Sequence, residues 1–320
     1  MAMTFNEKLT CCISKLMDID KPDYPMNEAN YYVDFIELLA LFSGKDGIAY
    51  GDINDRFFGE PDENNSSEQN DINESFIDGL FLLIEERIVQ YGDLYPFMIV
   101  NEYTFVLKDE ISYNQKIYLF LLLSSSLDIF KSFISELTSD FESLSHNAIQ
   151  HFLPKAIIKS FGKNSEYTGT AIEKIKKLAE DIGLPIKDSN FNCIGSRNVQ
   201  ERGLDVVGWL PFTDNCYNKM VFLCQCACGK NYEYKQHETR RFRSYYDFYK
   251  TRPQHTLFIP YSLINPKNGY FYHSDYIEED CLLFERLRIL YLTKDTDIFN
   301  QLQSKKIVEK CIEYCNMQTT

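Results

Sequence analysis

A surplus of positive charge is what this 320-residue sequence most plainly lacks: 33 lysines and arginines face 47 aspartates and glutamates, a formal net charge of −14. That balance argues against indiscriminate nucleic-acid binding, because most of the surface repels a polyanion. The opening Met1-Ala2-Met3-Thr4-Phe5-Asn6-Glu7 has neither the basic stretch nor the apolar core of a cleavable secretory signal. Long hydrophobic runs are missing too. The most apolar one, 117–123, gives way to serines and then Asp128, too short a stretch to span a bilayer. The expectation is a soluble, cytoplasmic protein with no membrane partner. Internal repeats are absent. Without a secretory signal, the ten cysteines read as small buried apolar residues rather than a disulfide framework. What is present is ample core material: 44% hydrophobic and 15% aromatic residues exclude global disorder.

The fold class expected is α+β, with a helical domain over 1–155 suited to docking a partner and a mixed-sheet domain flanked by helices over 156–320. Apolar-rich helices are read at 31–42, at 76–89 (stripe Phe76, Leu80, Leu83, Ile84), at 113–124 and across 126–152. Residues 60–71, acidic and polar, cannot bury a face and are expected to form a mobile loop. Helical periodicity yields near Gly162-Lys163-Asn164-Ser165, which sets the domain boundary. Closing helices are read at 281–292 and 305–315. Charge follows the same division. Residues 1–158 hold 10 basic and 27 acidic residues, whereas 159–275 hold 17 basic and 12 acidic ones.

The positive segment carries the most informative pattern. Gly203-Leu204-Asp205-Val206-Val207-Gly208-Trp209 and Val221-Phe222-Leu223-Cys224-Gln225 read as two strands of a hairpin, joined by turn-forming residues 211–218. The first strand carries a carboxylate in an apolar run. The second ends in an amide, with Gly229-Lys230 just beyond. Phosphodiester cleavage needs a divalent metal on oxygen ligands and a cation near the scissile phosphate, and a two-strand platform can present both. The arrangement resembles the PD-(D/E)xK, or restriction-endonuclease-like, nucleases found in bacterial anti-phage defence. The resemblance covers roughly 150–275 and implies Mg²⁺ or Mn²⁺ as cofactor, DNA as substrate, and a protein partner such as an ATPase subunit. It implies Asp205 as metal ligand, Gln225 as the residue positioning metal or water, and Lys230 as the catalytic cation. The pattern departs from the family at position 227, where alanine stands in place of lysine and Lys230 follows later.

An amphipathic helix at 170–182 precedes the hairpin, with Ile172, Ile175, Leu178 and Ala179 on its apolar stripe. The resemblance implies an acidic ligand there, for which Glu173 is the candidate and Glu166 the substitute. Thr170-Ala171-Ile172-Glu173 also fits a capping box, so Glu173 carries two readings. After the hairpin, Lys235, Arg240, Arg241 and Arg243 interleave with Tyr245, Tyr246, Phe248 and Tyr249. Those cations suit phosphates and those rings suit stacking on bases; the rival reading makes the rings core. Cys224, Cys226 and Cys228 alternate along a strand and point to one side, which favours packing over the convergent tetrahedral set of a zinc site. Two rival functions stand beside the nuclease. One is a degenerate nuclease-fold subunit acting as a structural or nucleic-acid-binding partner. The other is a cysteine enzyme using His237 or His255 as base.

Overall fold

Contacts in the computed structural model, which describes residues 3–25, 28–59, 67–101, 103–195, 203–265, 267–272 and 274–317, divide the chain into two compact units. The first takes Met1–Ile134, Ser262–Tyr270 and Phe299–Thr320; the second takes Ser135–Tyr261 and Phe271–Ile298.

Unit 1 is built on α1 (Phe5–Met17), α2 (Ala29–Phe42), α3 (Tyr50–Phe58), α4 (Ser67–Tyr91) and α5 (Tyr113–Ser124). Helix α2 is apolar on nearly every side and correspondingly buried from Tyr32 to Phe42. Its two carboxylates are buried with a partner. The Arg87 guanidinium of α4 donates to Asp34 at 2.7 Å and to Glu37 at 2.6 Å, and the Tyr95 and Tyr118 hydroxyls also donate to Glu37. Such a cluster contributes little net stability, yet removing one partner would strand a buried charge, so it fixes how α4 lies on α2. Three short strands, β1 (Ile48–Ala49), β2 (Phe97–Val100) and β3 (Thr104–Leu107), form an antiparallel sheet in the order β1-β3-β2. The expected all-helical half therefore carries a sheet whose strands, four residues at most, are too short to show a period of two. Of the expected loop at 60–71, residues 60–66 lie outside those described, and from Ser67 the chain is already in α4.

Unit 2 opens with α6 (Ile134–Phe152), followed by β4 (Ile157–Ser160), α7 (Ala171–Ile182), β5 (Val206–Trp209) and β6 (Val221–Cys226). The chain then crosses through 3-10 turns at Tyr232–Arg241 and the single-turn α8 (Phe242–Tyr245) to β7 (Gln254–Phe258), β8 (Cys281–Phe284) and α9 (Arg286–Thr293). The sheet order is β4-β5-β6-β7-β8. The β4-β5 and β5-β6 pairs are antiparallel; β6-β7 and β7-β8 are parallel. The sequence-read hairpin is present, with Val206 opposite Cys224 and Trp209 opposite Val221. One face of the sheet, through Val207, Trp209, Val221 and Leu223, packs on Ile175, Leu178 and Ile182 of α7 and on Phe242, Tyr245 and Tyr246. Helix α6 covers the other face. There His146 Nδ1 lies 2.8 Å from Ser160 Oγ, Ser145 bonds the Cys226 thiol, and Phe152 packs on Phe284.

The fold class is α+β. The expected boundary at 155 gives way to one before α6, because that helix carries a face of the second sheet. Two closing elements differ as well. The 281–292 segment begins as strand β8, since its apolar run is drawn into parallel pairing with β7. After α10 (Ile298–Gln301), α11 (Lys305–Met317) belongs to unit 1, where the Cys315 thiol donates to the Gly44 carbonyl.

Candidate functional site

Asp205 sits where β5 begins, and the ladder there departs from regular pairing. Its amide donates to the Cys224 carbonyl at 2.9 Å, and its carbonyl accepts from Phe161 and Gly162 at 2.7 and 2.9 Å. Its carboxylate Oδ2 accepts the Cys226 amide at 2.7 Å, so the side chain is fixed at the end of β6. The other oxygen faces Gly162. A methyl group built on Gly162 would lie 2.8 Å from Asp205 Oδ1 and 2.7 Å from Glu142 Oε2. Two carboxylates, one from the hairpin and one from α6, therefore close on a single point that any side chain at 162 would fill.

Glu142 was not singled out from the sequence. It lies beside Phe141 on the buried stripe of α6, among Leu137, Leu144, Ala148 and Ile149. A carboxylate on the apolar stripe of a helix was the available signal, since such a group must find a partner. Its partner is backbone: Glu142 Oε2 accepts the Lys163 amide at 2.8 Å. The Gly162-Lys163-Asn164 turn is pinned to α6 further on. Asn164 donates to the Ser139 carbonyl and the Ser143 hydroxyl, and accepts from the Ser139 hydroxyl.

The remaining sequence candidates are distributed differently. Glu173 caps α7: its carboxylate accepts from the Thr170 amide at 2.7 Å while the Thr170 hydroxyl accepts from the Glu173 amide at 3.3 Å. These bonds hold the Glu173 carboxyl below the usual carboxylate range. Of the two readings, the cap is the one the geometry carries, and the acid that meets Asp205 is Glu142. Glu166 is engaged with Lys159 at 2.5 Å. Gln225 is buried, and strand alternation sets it on the face of Leu223 rather than the face that α6 approaches. Its Oε1 has no hydrogen-bond partner. Lys230 lies half-buried in the turn after β6, two residues beyond Cys228, whose carbonyl accepts the Tyr261 hydroxyl at 2.6 Å.

The basic and aromatic segment resolves into a core and an outer surface. Phe242, Tyr245, Tyr246 and Phe248 are buried and cannot stack on bases; Tyr249 is exposed. Lys235 pairs with Glu238 at 3.0 Å, and Arg240 reaches Glu278 at 3.5 Å and the Glu279 carbonyl at 2.9 Å. Arg241 and Arg243 are exposed.

Burial pushes the thiols of Cys224, Cys226 and Cys228 up, and the nearby Asp205 charge raises all three further. They are neutral thiols, unsuited to nucleophilic attack. His255 is buried on β7, its Nδ1 2.9 Å from the Thr239 hydroxyl, and burial lowers its pKa to about 4. Among the described residues, no three His, Cys, Asp or Glu side chains converge as a metal-binding group. No family model, curated protein or solved structure matches this chain. No helix among the described residues is long and apolar enough to cross a membrane.

Proposed function

We propose that this chain is a metal-dependent nuclease, with DNA as its substrate, whose cation is held by Asp205 and Glu142. The observation that carries the reading is the convergence of those two carboxylates on the space beside Gly162. Two carboxylate oxygens that approach one point this closely can be drawn onto one divalent ion. Mg²⁺ takes oxygen ligands at about 2.1 Å and typically uses one or two carboxylates, filling its other positions with water and substrate phosphate oxygens. A two-carboxylate centre is thus complete enough for Mg²⁺ or Mn²⁺ without a third acidic side chain. The ion would lower the pKa of bound water and neutralise charge developing on phosphate. Supporting the same reading are the hairpin expected from the PD-(D/E)xK resemblance, set in a mixed sheet flanked by helices, and the basic surplus of 159–275.

The test is metal binding and cleavage by the full chain. Mn²⁺ titrated calorimetrically should bind the wild type, and Asp205→Asn and Glu142→Gln should each lose most of that affinity while keeping the wild-type circular dichroism. Supercoiled plasmid and circular single-stranded DNA should be cut with Mn²⁺ and spared in chelator. Undiminished cutting by Asp205→Asn would discard the assignment. A second reading, a nuclease-fold subunit that binds a partner such as an ATPase, is favoured by one feature. Gln225 lies on the sheet face away from the carboxylate pair, with Ala227 standing where the family places lysine. Under it, Mn²⁺ affinity would be unchanged by either substitution.

A further inference from the structure

A metal centre on two carboxylates calls for a positive side chain to meet the substrate phosphate, and the hairpin position where the family carries lysine holds Ala227. We infer that Lys163, on the turn between β4 and α7, is that cation. The inference rests on the nuclease reading and identifies the residue that completes its site.

Position comes first. Lys163 directly follows Gly162, the residue against which both carboxylates close, and its own amide donates to Glu142 Oε2 at 2.8 Å. Its backbone is therefore part of the carboxylate cradle. The turn cannot drift, because Gly162 donates to the Asp205 carbonyl at 2.9 Å and Asn164 is bonded three times to α6. A cation on such a turn is preorganised, which is what electrostatic stabilisation of a transition state requires.

Charge state comes second. The Lys163 ammonium donates to the Thr138 hydroxyl at 2.6 Å and pairs with no carboxylate among the described residues. Lys159, Lys176 and Lys235, by contrast, are each taken by an acid. An ammonium has three donors, so two remain for solvent or a phosphate oxygen. The Lys163 side chain is exposed, and its charge reaches the buried Cys228 thiol together with those of Glu142 and Asp205. Thr138 holds the ammonium with a neutral, exchangeable bond, so a phosphate can take it over without breaking an ion pair.

The test uses the full chain with Mn²⁺ on plasmid and single-stranded DNA, comparing Lys163→Met, Lys163→Arg and Lys230→Ala with wild type. Lys163→Met should cut about 100-fold more slowly, the scale of one lost transition-state contact. Its Mn²⁺ affinity, measured by calorimetry without DNA, should stay at the wild-type value. Lys163→Arg should recover part of the rate. Wild-type cutting by Lys163→Met, or loss of cutting in Lys230→Ala alone, overturns the assignment and leaves the nuclease reading standing. Loss of Mn²⁺ affinity in Lys163→Met makes the residue a scaffold for Glu142 and also overturns it. A wild type that binds Mn²⁺ but cuts neither substrate overturns the nuclease reading, and this inference with it.

Discussion

A single carboxylate illustrates what local sequence can and cannot say about a site. Asp205 was legible because it interrupts an alternating strand and precedes turn residues, all within a short window. Glu142 was not, because its role exists only once α6 docks on a sheet whose Cys226 lies far along the chain. Its partner residue, Gly162, looked like a linker glycine; in the fold it is the space the two acids share. His255 shows the same dependence on burial. Its imidazole is buried on β7 and lies near Arg243 and Arg240, and both effects disfavour protonation, burial being the larger. With a folded pKa of about 4 against an ordinary value of 6.5, the unfolded chain takes up the proton first as pH falls. Stability should therefore be full above pH 6.5 and decline from there toward pH 4, by up to roughly 3 kcal/mol from this residue. Urea midpoints of wild type and His255→Gln, compared at pH 7, 6 and 5, would show it. The variant should lack this part of the slope, and parallel pH profiles would remove His255 as the cause.

Elements were read well where a local device defines them and poorly where packing does. Helix α5 runs Tyr113–Ser124, its limits as expected, because Ser112 and Gln115 cap its start reciprocally. Helix α7 ends at Gly183, which takes a left-handed φ of 79° that most side chains resist. The 232–249 segment shows the opposite case. Interleaved cations and rings have one sequence pattern whether the rings meet bases or the core, and only the position of the segment over β5 and β6 decides for the core. The α7 capping box offers a direct comparison of element and site. Thr170→Ala should cost about 1 kcal/mol of stability, the usual worth of such a cap, and leave Mn²⁺ affinity unchanged. Glu173→Gln should likewise retain the affinity that Glu142→Gln loses. Equal losses from Glu173→Gln and Glu142→Gln would return Glu173 to the metal centre.

At the scale of the whole chain, the sequence suggested two consecutive domains, and the contacts instead interleave them. Unit 1 recovers Ser262–Tyr270 and the C-terminal Phe299–Thr320, while unit 2 claims α6 from the expected helical half. Periodicity could not show this, because α6 is an amphipathic helix like its neighbours and only its partners distinguish it. The distinction matters for the charge argument too: the acidic excess of 1–158 includes Glu142, whose carboxylate accepts the Lys163 amide of the positive half. Cutting the chain at the sequence-read boundary would therefore remove more than a neighbour. A 156–320 fragment lacks α6, so the face carrying Cys224, Cys226 and Phe284 loses its cover, and Asp205 loses its fellow carboxylate. Uncovering a sheet face forfeits hydrophobic stabilisation at about 25 cal/mol per Å², enough over one helix face to exceed the few kcal/mol by which a domain is stable. The fragment should melt without a cooperative transition, bind a hydrophobic dye and show no Mn²⁺ heat. A 135–298 fragment, which restores α6, should unfold cooperatively and bind the metal. If 156–320 alone melts cooperatively with full Mn²⁺ affinity, α6 is dispensable and the two-carboxylate centre is wrong.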